Sequence, residues 1–350
     1  MEIAITNDGP DEREESMRLI RESAESVLRE DISRSRALRF TSTDYDPEKL
    51  AEFAELGWIM IRVPEADDGL GMGLSELVTL ARELGRGLTP EPLLNQAVIA
   101  PYLPTELREA VVSGEKIVLP AFTPFGATPA QALDGQIFGT TEPAPMGRQA
   151  DAFFVQTDTG AMLIDKEAAG LTSTQHGMHD GSQFTHLKLD GVKGQSITCD
   201  CDTLREEATL VLSAYFLGLS DAAFDLTNEY LKDRSQFGKP IGAFQSLQHE
   251  MVDLFLEKSL LAAAVDSAAE QWDKGNDATE ARRLISLAKA RANKASNAIT
   301  RSAIQLHGGI GYTDEADIGL FLRKTMTLCG LLGTERFHRT RAYRLGETGQ

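Results

Sequence analysis

Residues 234–249 read Arg-Ser-Gln-Phe-Gly-Lys-Pro-Ile-Gly-Ala-Phe-Gln-Ser-Leu-Gln-His, and this stretch decides the fold. It joins the end of one long amphipathic segment, near 204–232, to the start of another, near 242–274. Gly238, Pro240 and Gly242 interrupt the helical period between them, as breakers between two helices do. Segments of that length on either side of a short join suit an antiparallel bundle. Arg234 falls at the end of the first helix, and Phe237 follows three residues later. A guanidinium and a flat ring held near a helix end can grip a pyrophosphate and a planar ring system. An ordinary helix–helix turn is the plainer reading of the same composition.

Helical periodicity continues beyond this pair, near 278–307 and 315–329, and persists to about Leu345. Before it, residues 117–203 break into short apolar runs: Ile117-Val-Leu-Pro, Ala152-Phe-Phe-Val-Gln, Ala161-Met-Leu-Ile and Thr185-His-Leu-Lys-Leu. Gly, Pro and Asp punctuate them, the pattern of a small β-barrel or sandwich. Further back, residues 11–31, 47–57, 74–86 and 91–112 return to helical spacing, with Pro90 and Pro92 at a helix start. The expected class is multidomain α+β. An N-terminal all-α domain spans 1–116, a middle β-barrel or sandwich domain 117–203, and a C-terminal four-helix bundle 204–350.

A chain of 350 residues with 42% hydrophobic content supports two or three domains with a sizeable core. Its net charge of −18 repels nucleic-acid backbones and anionic lipid, so neither is expected as a partner. Cys199 and Cys201 form a Cys-x-Cys with no second pair or nearby His, which is a thiol pattern rather than a zinc pattern. His176 and His179, beside Asp180, read as solvated loop histidines rather than metal ligands, and no metal is expected. The first eight residues are acidic and carry no long apolar core. The longest uncharged apolar stretch, 208–220, is too short to span a bilayer and suits a buried helix. With few cysteines as well, the expected setting is cytoplasmic.

The 234–249 string closely resembles the Arg-x-Gln-Phe-Gly-x-Pro-Ile-x-x-Phe-Gln-x-x-Gln-His signature of the acyl-CoA dehydrogenase family. Two more segments carry the same resemblance. Residues 305–312, Gln-Leu-His-Gly-Gly-Ile-Gly-Tyr, look like the family's Gln-x-x-Gly-Gly-x-Gly-Tyr/Phe motif. Leu56-Gly-Trp, Val63-Pro-Glu, Gly69-Leu-Gly71 and Glu83-Leu-Gly-Arg86 follow the order of its N-terminal domain. The resemblance implies the same three-part architecture, FAD as cofactor, an acyl-CoA thioester as substrate, and α,β-dehydrogenation. Such a reaction needs a carboxylate base beside the α-carbon, the flavin beside the β-carbon, and donors to the thioester oxygen.

In the family, each flavin lies at a subunit boundary, and one subunit lends contacts to its neighbour's FAD. Arg234, Gln236, Phe237, Gln305, Gly308, Gly309 and Gly311 match that lent set, and Thr334 matches a cofactor-binding position of the last motif. The set a subunit keeps for itself is poor. Phe122-Thr-Pro-Phe-Gly-Ala stands where the family has Thr-Glu-Pro-Gly-x-Gly-Ser, and Thr140-Thr-Glu-Pro143 reads as a chance likeness. No Trp occurs between residues 59 and 271 to lie beside a flavin. The catalytic Glu of the family's Glu-Gly-Thr motif is replaced by Leu332, so no base stands at the usual position. Some relatives place the Glu at the start of the first bundle helix, which brings the count to about Ala208. Glu207 is the candidate base there, with Glu206 beside it, although acidic residues in a first helical turn also suit the helix dipole.

A chain that keeps the half-site it lends and loses the one it owns resembles the short, degenerate subunit of α2β2 acyl-CoA dehydrogenases, such as those acting on steroid side-chain CoA thioesters. That resemblance implies a larger acyl-CoA dehydrogenase subunit as partner, supplying the catalytic Glu, and an electron-transfer flavoprotein or similar acceptor. Two alternatives stay open: a self-sufficient homo-oligomeric dehydrogenase with a displaced base near Glu207, and a flavin-free scaffold pseudoenzyme.

Overall fold

A computed structural model describes residues 10–28 and 31–348; the opening stretch 1–9, read above for a leader segment, lies outside the described residues. The N-terminal region holds α1 (Pro10–Val27), α2 (Asp31–Leu38), α3 (Pro47–Glu55), α4 (Leu74–Arg86), α5 (Leu93–Ile99) and α6 (Thr105–Val112). Helix α3 starts where Asp46 accepts from the Glu48 amide at 3.0 Å, with Pro47 in its first turn. The continuous helix expected over 91–112 is two helices, because Pro101 and Pro104 cannot continue the first. Helix α2 has no apolar stripe to announce it. Its hold is tertiary: Arg34 pairs with Glu91, and Arg36 with Asp317 at 2.7 Å.

The middle region holds β1 (Val118–Ala121), β2 (Gln131–Leu133), β3 (Gln136–Thr140), β4 (Ala144–Pro145), β5 (Ala152–Thr157), β6 (Gly160–Asp165), β7 (Leu171–Gly177), β8 (Gln183–Lys193) and β9 (Gln195–Ile197). One sheet runs β1-β5-β6-β9, with β1 parallel to β5 and Val118 opposite Ala152. The other centres on β8, which pairs along one side with β3 (itself paired to β2) and then β4, and along the other side with β7. The four apolar runs of the sequence became β1, β5, β6 and β8. The strands without such runs are short or exposed. His176, read as a loop residue, lies in β7 opposite Phe184, and that strand exposes most of its length. Asp180 is buried and ion-paired to Lys324 at 2.7 Å, not solvated.

The C-terminal region holds α7 (Cys201–Asp233), α8 (Gln245–Lys274), α9 (Ala278–His307), α10 (Ile318–Leu328) and α11 (Glu335–Thr348). Helix α9 is the spine, packing on α7, α8, α10 and α11. Among the described residues, α7 is the one helix long and apolar enough to cross a membrane, and its apolar stretch is mostly buried in the bundle. Helices α4 and α7 cross at two glycines. A Cβ on Gly218 would stand 1.8 Å from the Arg82 carbonyl oxygen, and one on Gly85 would stand 2.1 Å from that of Tyr215. Asp273, near the end of α8, caps α4 by accepting from the Leu74 amide at 2.8 Å and the Ser75 amide at 3.0 Å. One apolar core therefore runs through all three regions.

Candidate functional site

The join between α7 and α8 is a tight hairpin. Ser235 pairs with Pro240 and Gln236 with Lys239, leaving Phe237 and Gly238 at the tip. Both tip residues have positive φ, 52° and 79°, the pattern of a two-residue hairpin turn. Glycine adopts it freely; a phenylalanine in this region is strained. Phe237 is nonetheless 92% exposed, so no burial within the chain offsets the strain. Backbone strain held at an exposed aromatic marks a residue kept for contact with something else. Arg234 and Gln236 are exposed on the same hairpin.

The second expected segment lies at the same end of the bundle. Tyr230, one turn before Arg234, stacks on His307 with ring centroids 4.4 Å apart and donates to its carbonyl at 3.1 Å. This contact sets the hairpin beside the loop after α9. Gln305, Gly308 and Gly309 are exposed there, and Tyr312 is 80% exposed. The glycines differ in cause. Gly308 has φ 64° and ψ −143°, a conformation favoured by glycine. Gly311 is buried, and a Cβ there would meet the Ile304 carbonyl oxygen at 2.7 Å. Gly309 has neither reason: its backbone is not left-handed, and a Cβ would meet nothing within 4 Å. The chain itself does not require glycine at 309, which leaves an open approach to the backbone.

Thr334 does not join this group. It opens α11, accepting from the Phe337 amide at 3.3 Å. The neighbouring turn meets α9 at Asn293, whose side chain donates to the Gly333 carbonyl at 3.3 Å. That is roughly 22 Å of helix away from Gly308. Leu332 itself is buried with φ 52°, fixed from both sides: its amide donates to Glu142 Oε1 at 3.0 Å, and its carbonyl accepts from His338 Nε2 at 2.7 Å. Sequence reading set Glu142 aside inside Thr140-Thr-Glu-Pro143, yet it is the residue that clamps this turn.

Beneath the turn, Lys289 is completely buried, with Nζ donating to Asn293 Oδ1 at 3.0 Å and lying 4.8 Å from the Phe216 ring centroid. Burial brings Lys289 down to about 7 and His338 down to about 4, and pushes Glu142 up. The unfolded chain keeps the Lys289 proton up to the ordinary lysine value of 10.5, whereas the native state releases it near 7. Native stability therefore rises with pH across that window. Lys289→Met is expected to stabilise the chain by about 2–4 kcal/mol at neutral pH. Urea melts should show that gain shrinking towards pH ~10; a gain independent of pH would refute the charge-burial account.

Leu332 also lines a cavity of about 120 Å³ between the three regions, with Met146, Phe184, Val211, Tyr215 and Leu328. Two carboxylates reach it. Glu91 is taken by Arg34 and by the Asp46 amide at 3.1 Å. Asp44 accepts from the Gln183 amide at 3.0 Å through Oδ2, and its Oδ1 has no partner among the described residues. Burial raises the Asp44 carboxyl. Sequence reading missed Asp44, which has no motif around it.

Glu207 does not line that cavity, although Ala208 does. Its Oε1 accepts from Arg62 Nη2 at 2.6 Å and from Trp272 Nε1 at 3.1 Å. Glu206 is turned to Arg341 at 3.1 Å. Both carboxylates tie α7 to neighbouring helices and loops, and Glu207 is held as a structural anchor by Arg62 and Trp272. Among the described residues no group of three His, Cys, Asp or Glu could hold a metal.

Comparison with known proteins bears on both halves. Acyl-CoA dehydrogenase domain models match at residues 14–103 for the N-terminal domain and 203–344 for the C-terminal domain. Acyl-CoA dehydrogenase IpdE2 of Mycolicibacterium smegmatis is 29% identical over 335 residues, covering 92% of this chain and 96% of that protein. Acyl-CoA dehydrogenase FadE27 of Mycobacterium tuberculosis is 27% identical, covering 87% and 89%. Among solved structures, a Tcur3481-Tcur3483 steroid ACAD variant aligns with a TM-score of 0.87 at 25% identity, covering 96% of this chain and 99% of that one. The ChsE4-ChsE5 complex from Mycobacterium tuberculosis shares the fold with a TM-score of 0.84 at 23% identity, covering 98% of each. The hairpin, the glycine loop and the three-region core thus meet in one assignment: the chain belongs to the acyl-CoA dehydrogenase family of oxidoreductases, with FAD as cofactor.

Proposed function

We propose that this chain is the FAD-lending subunit of a heteromeric acyl-CoA dehydrogenase. The observation that carries the reading is the pairing of a strained, exposed Phe237 with an open Gly309 at one end of the bundle. Arg234 supplies a donor fork suited to a pyrophosphate, and Gln236 and Gln305 supply amides beside it. Gly308 and Gly309 leave backbone free to approach a phosphate or ribose. FAD, when bound, supplies a hydride acceptor. The residues of this chain hold it; they offer no base at Leu332.

The partner in this reading is a larger acyl-CoA dehydrogenase subunit that supplies the catalytic Glu and the contacts to the flavin ring, in an α2β2 assembly. An apolar stripe on α8 supports a partner. Val252, Phe255, Leu256 and Leu260 are each more than half exposed along that helix. Two similar structures carry two-component names, and one of them is named a steroid ACAD. We extend that to a bulky acyl-CoA thioester such as a steroid side chain as substrate, an electron-transfer flavoprotein or similar acceptor, and a cytoplasmic setting.

The test is FAD stoichiometry, from flavin absorbance and mass, for the chain purified alone and after co-expression with a longer acyl-CoA dehydrogenase subunit. The expected result is no flavin alone and one FAD per heterodimer together. One tightly bound FAD per chain alone would overturn the reading and direct the search for a base to Asp44.

A further inference from the structure

Two thiols meet where the linker after β9 enters α7. Cys199 and Cys201 lie with their sulfurs 3.3 Å apart. Cys201 is buried at the start of α7, 2.9 Å from the Gly160 carbonyl that accepts from it. Cys199 is half-buried, one residue before Asp200, which caps α7 by accepting from the amides of Asp202 at 3.0 Å and Thr203 at 3.2 Å. The cap fixes the chain path between the two cysteines, so their approach is built into the helix start. The contact with Cys201 also holds the Cys199 thiol below its ordinary value. The third cysteine, Cys329, lies at the end of α10 and bonds to the Met326 carbonyl. With no metal-binding group of three among the described residues, the chemistry that two touching thiols offer is a bond to each other.

We propose that Cys199 and Cys201 are a reversible redox site, closing an intramolecular disulfide at the junction of the β region and the bundle when met by a small-molecule disulfide such as oxidised glutathione. The Cys199 thiolate attacks one glutathione sulfur, forming a mixed disulfide and releasing the first glutathione thiolate, which takes up the Cys199 proton. Cys201 then attacks the Cys199 sulfur. The Cys199–Cys201 bond forms, the bond to glutathione breaks, and the second glutathione leaves with the Cys201 proton. Two protein thiols lose two electrons and two protons, and one glutathione disulfide becomes two glutathiones. Burial of Cys201 favours closure within the chain over capture of a second glutathione. Closure also removes the S–H that Gly160 accepts from, so oxidation loosens the β5–β6 turn from α7.

The full chain is equilibrated in glutathione buffers of graded potential, quenched in acid, alkylated and read by peptide mass. The expected product carries Cys199 and Cys201 unalkylated and short of two hydrogens, with Cys329 alkylated. At one buffer ratio the native chain should hold at least about tenfold more of this disulfide than the same chain unfolded in urea, because the native fold presents the sulfurs to each other. Cys199→Ser and Cys201→Ser should each abolish the product. Full alkylation of both cysteines at the most oxidising ratio would overturn the proposal. So would glutathione retained on Cys199 as a stable mixed disulfide, or equal closure in the native and unfolded chains.

Discussion

Arg62→Ala is expected to destabilise the chain by about 3–5 kcal/mol, because it leaves Glu207 charged, buried and half-satisfied. Both members of the pair are shielded, with side chains 7% and 5% exposed, and Trp272 is the remaining donor to the carboxylate. The check is urea unfolding, where the midpoint should fall with little change in slope. Burial already raises the Glu207 carboxyl despite Arg62. A carboxyl raised in the native state is more easily protonated there than in the unfolded chain. Removing the cation raises it further, so the deficit is full above the new native pKa and is lost as pH falls to the already raised native pKa of the unsubstituted chain. Replacing both partners, Arg62→Met with Glu207→Gln, should recover most of the loss. A single substitution that leaves the midpoint in place would remove Glu207 from its anchoring role and reopen it as a base.

Arg234→Ala should act on the cofactor and not on the fold. The side chain is exposed, so the melting of the isolated chain should not move. In the heteromeric complex, loss of a desolvated pair with phosphate should weaken FAD retention by about 2–5 kcal/mol. That corresponds to a dissociation constant raised by about 30-fold to several thousand-fold. Flavin content after gel filtration of the complex reads it directly. Arg234→Lys should restore part of the retention, since a lysine keeps the charge and loses the fork. Unchanged flavin content would show that the hairpin has no part in cofactor binding.

The long helices and the four apolar strands were legible because periodicity is a local property, whereas α2 carries no apolar stripe and the break at Pro101 and Pro104 was not read. Segments such as 204–232 and 278–307 carry their own evidence, residue by residue. The break between two helices at 234–242 was legible through Gly238, Pro240 and Gly242 and through the resemblance its residues carry, but its closure as a hairpin was not. What escaped reading is pairing across the chain. Glu142 and Leu332 are 190 positions apart, and Arg62 and Glu207 are 145 apart. Nothing in a window around either member announces the other. The same holds for β7, whose residues face solvent and so lack the alternation that marks a half-buried strand. Asp44, which lines the cavity and has one carboxylate oxygen without a partner among the described residues, has no neighbour in sequence to suggest it. Glu207 was drawn towards catalysis by its place near a helix start, and only the position of Arg62 reveals its anchoring contact.

The glycine crossing of α4 and α7 bears on how the chain comes apart. Backbone touches backbone there, with no side chain free to swing aside. Asp273 fastens α4 from the far end of α8 as well. A helix held so at both its face and its end cannot peel away by itself. Composition divides the chain near 116 and 204, but heat should not. Calorimetry should record one melting event in which the measured and van't Hoff enthalpies agree, as for a single cooperative unit.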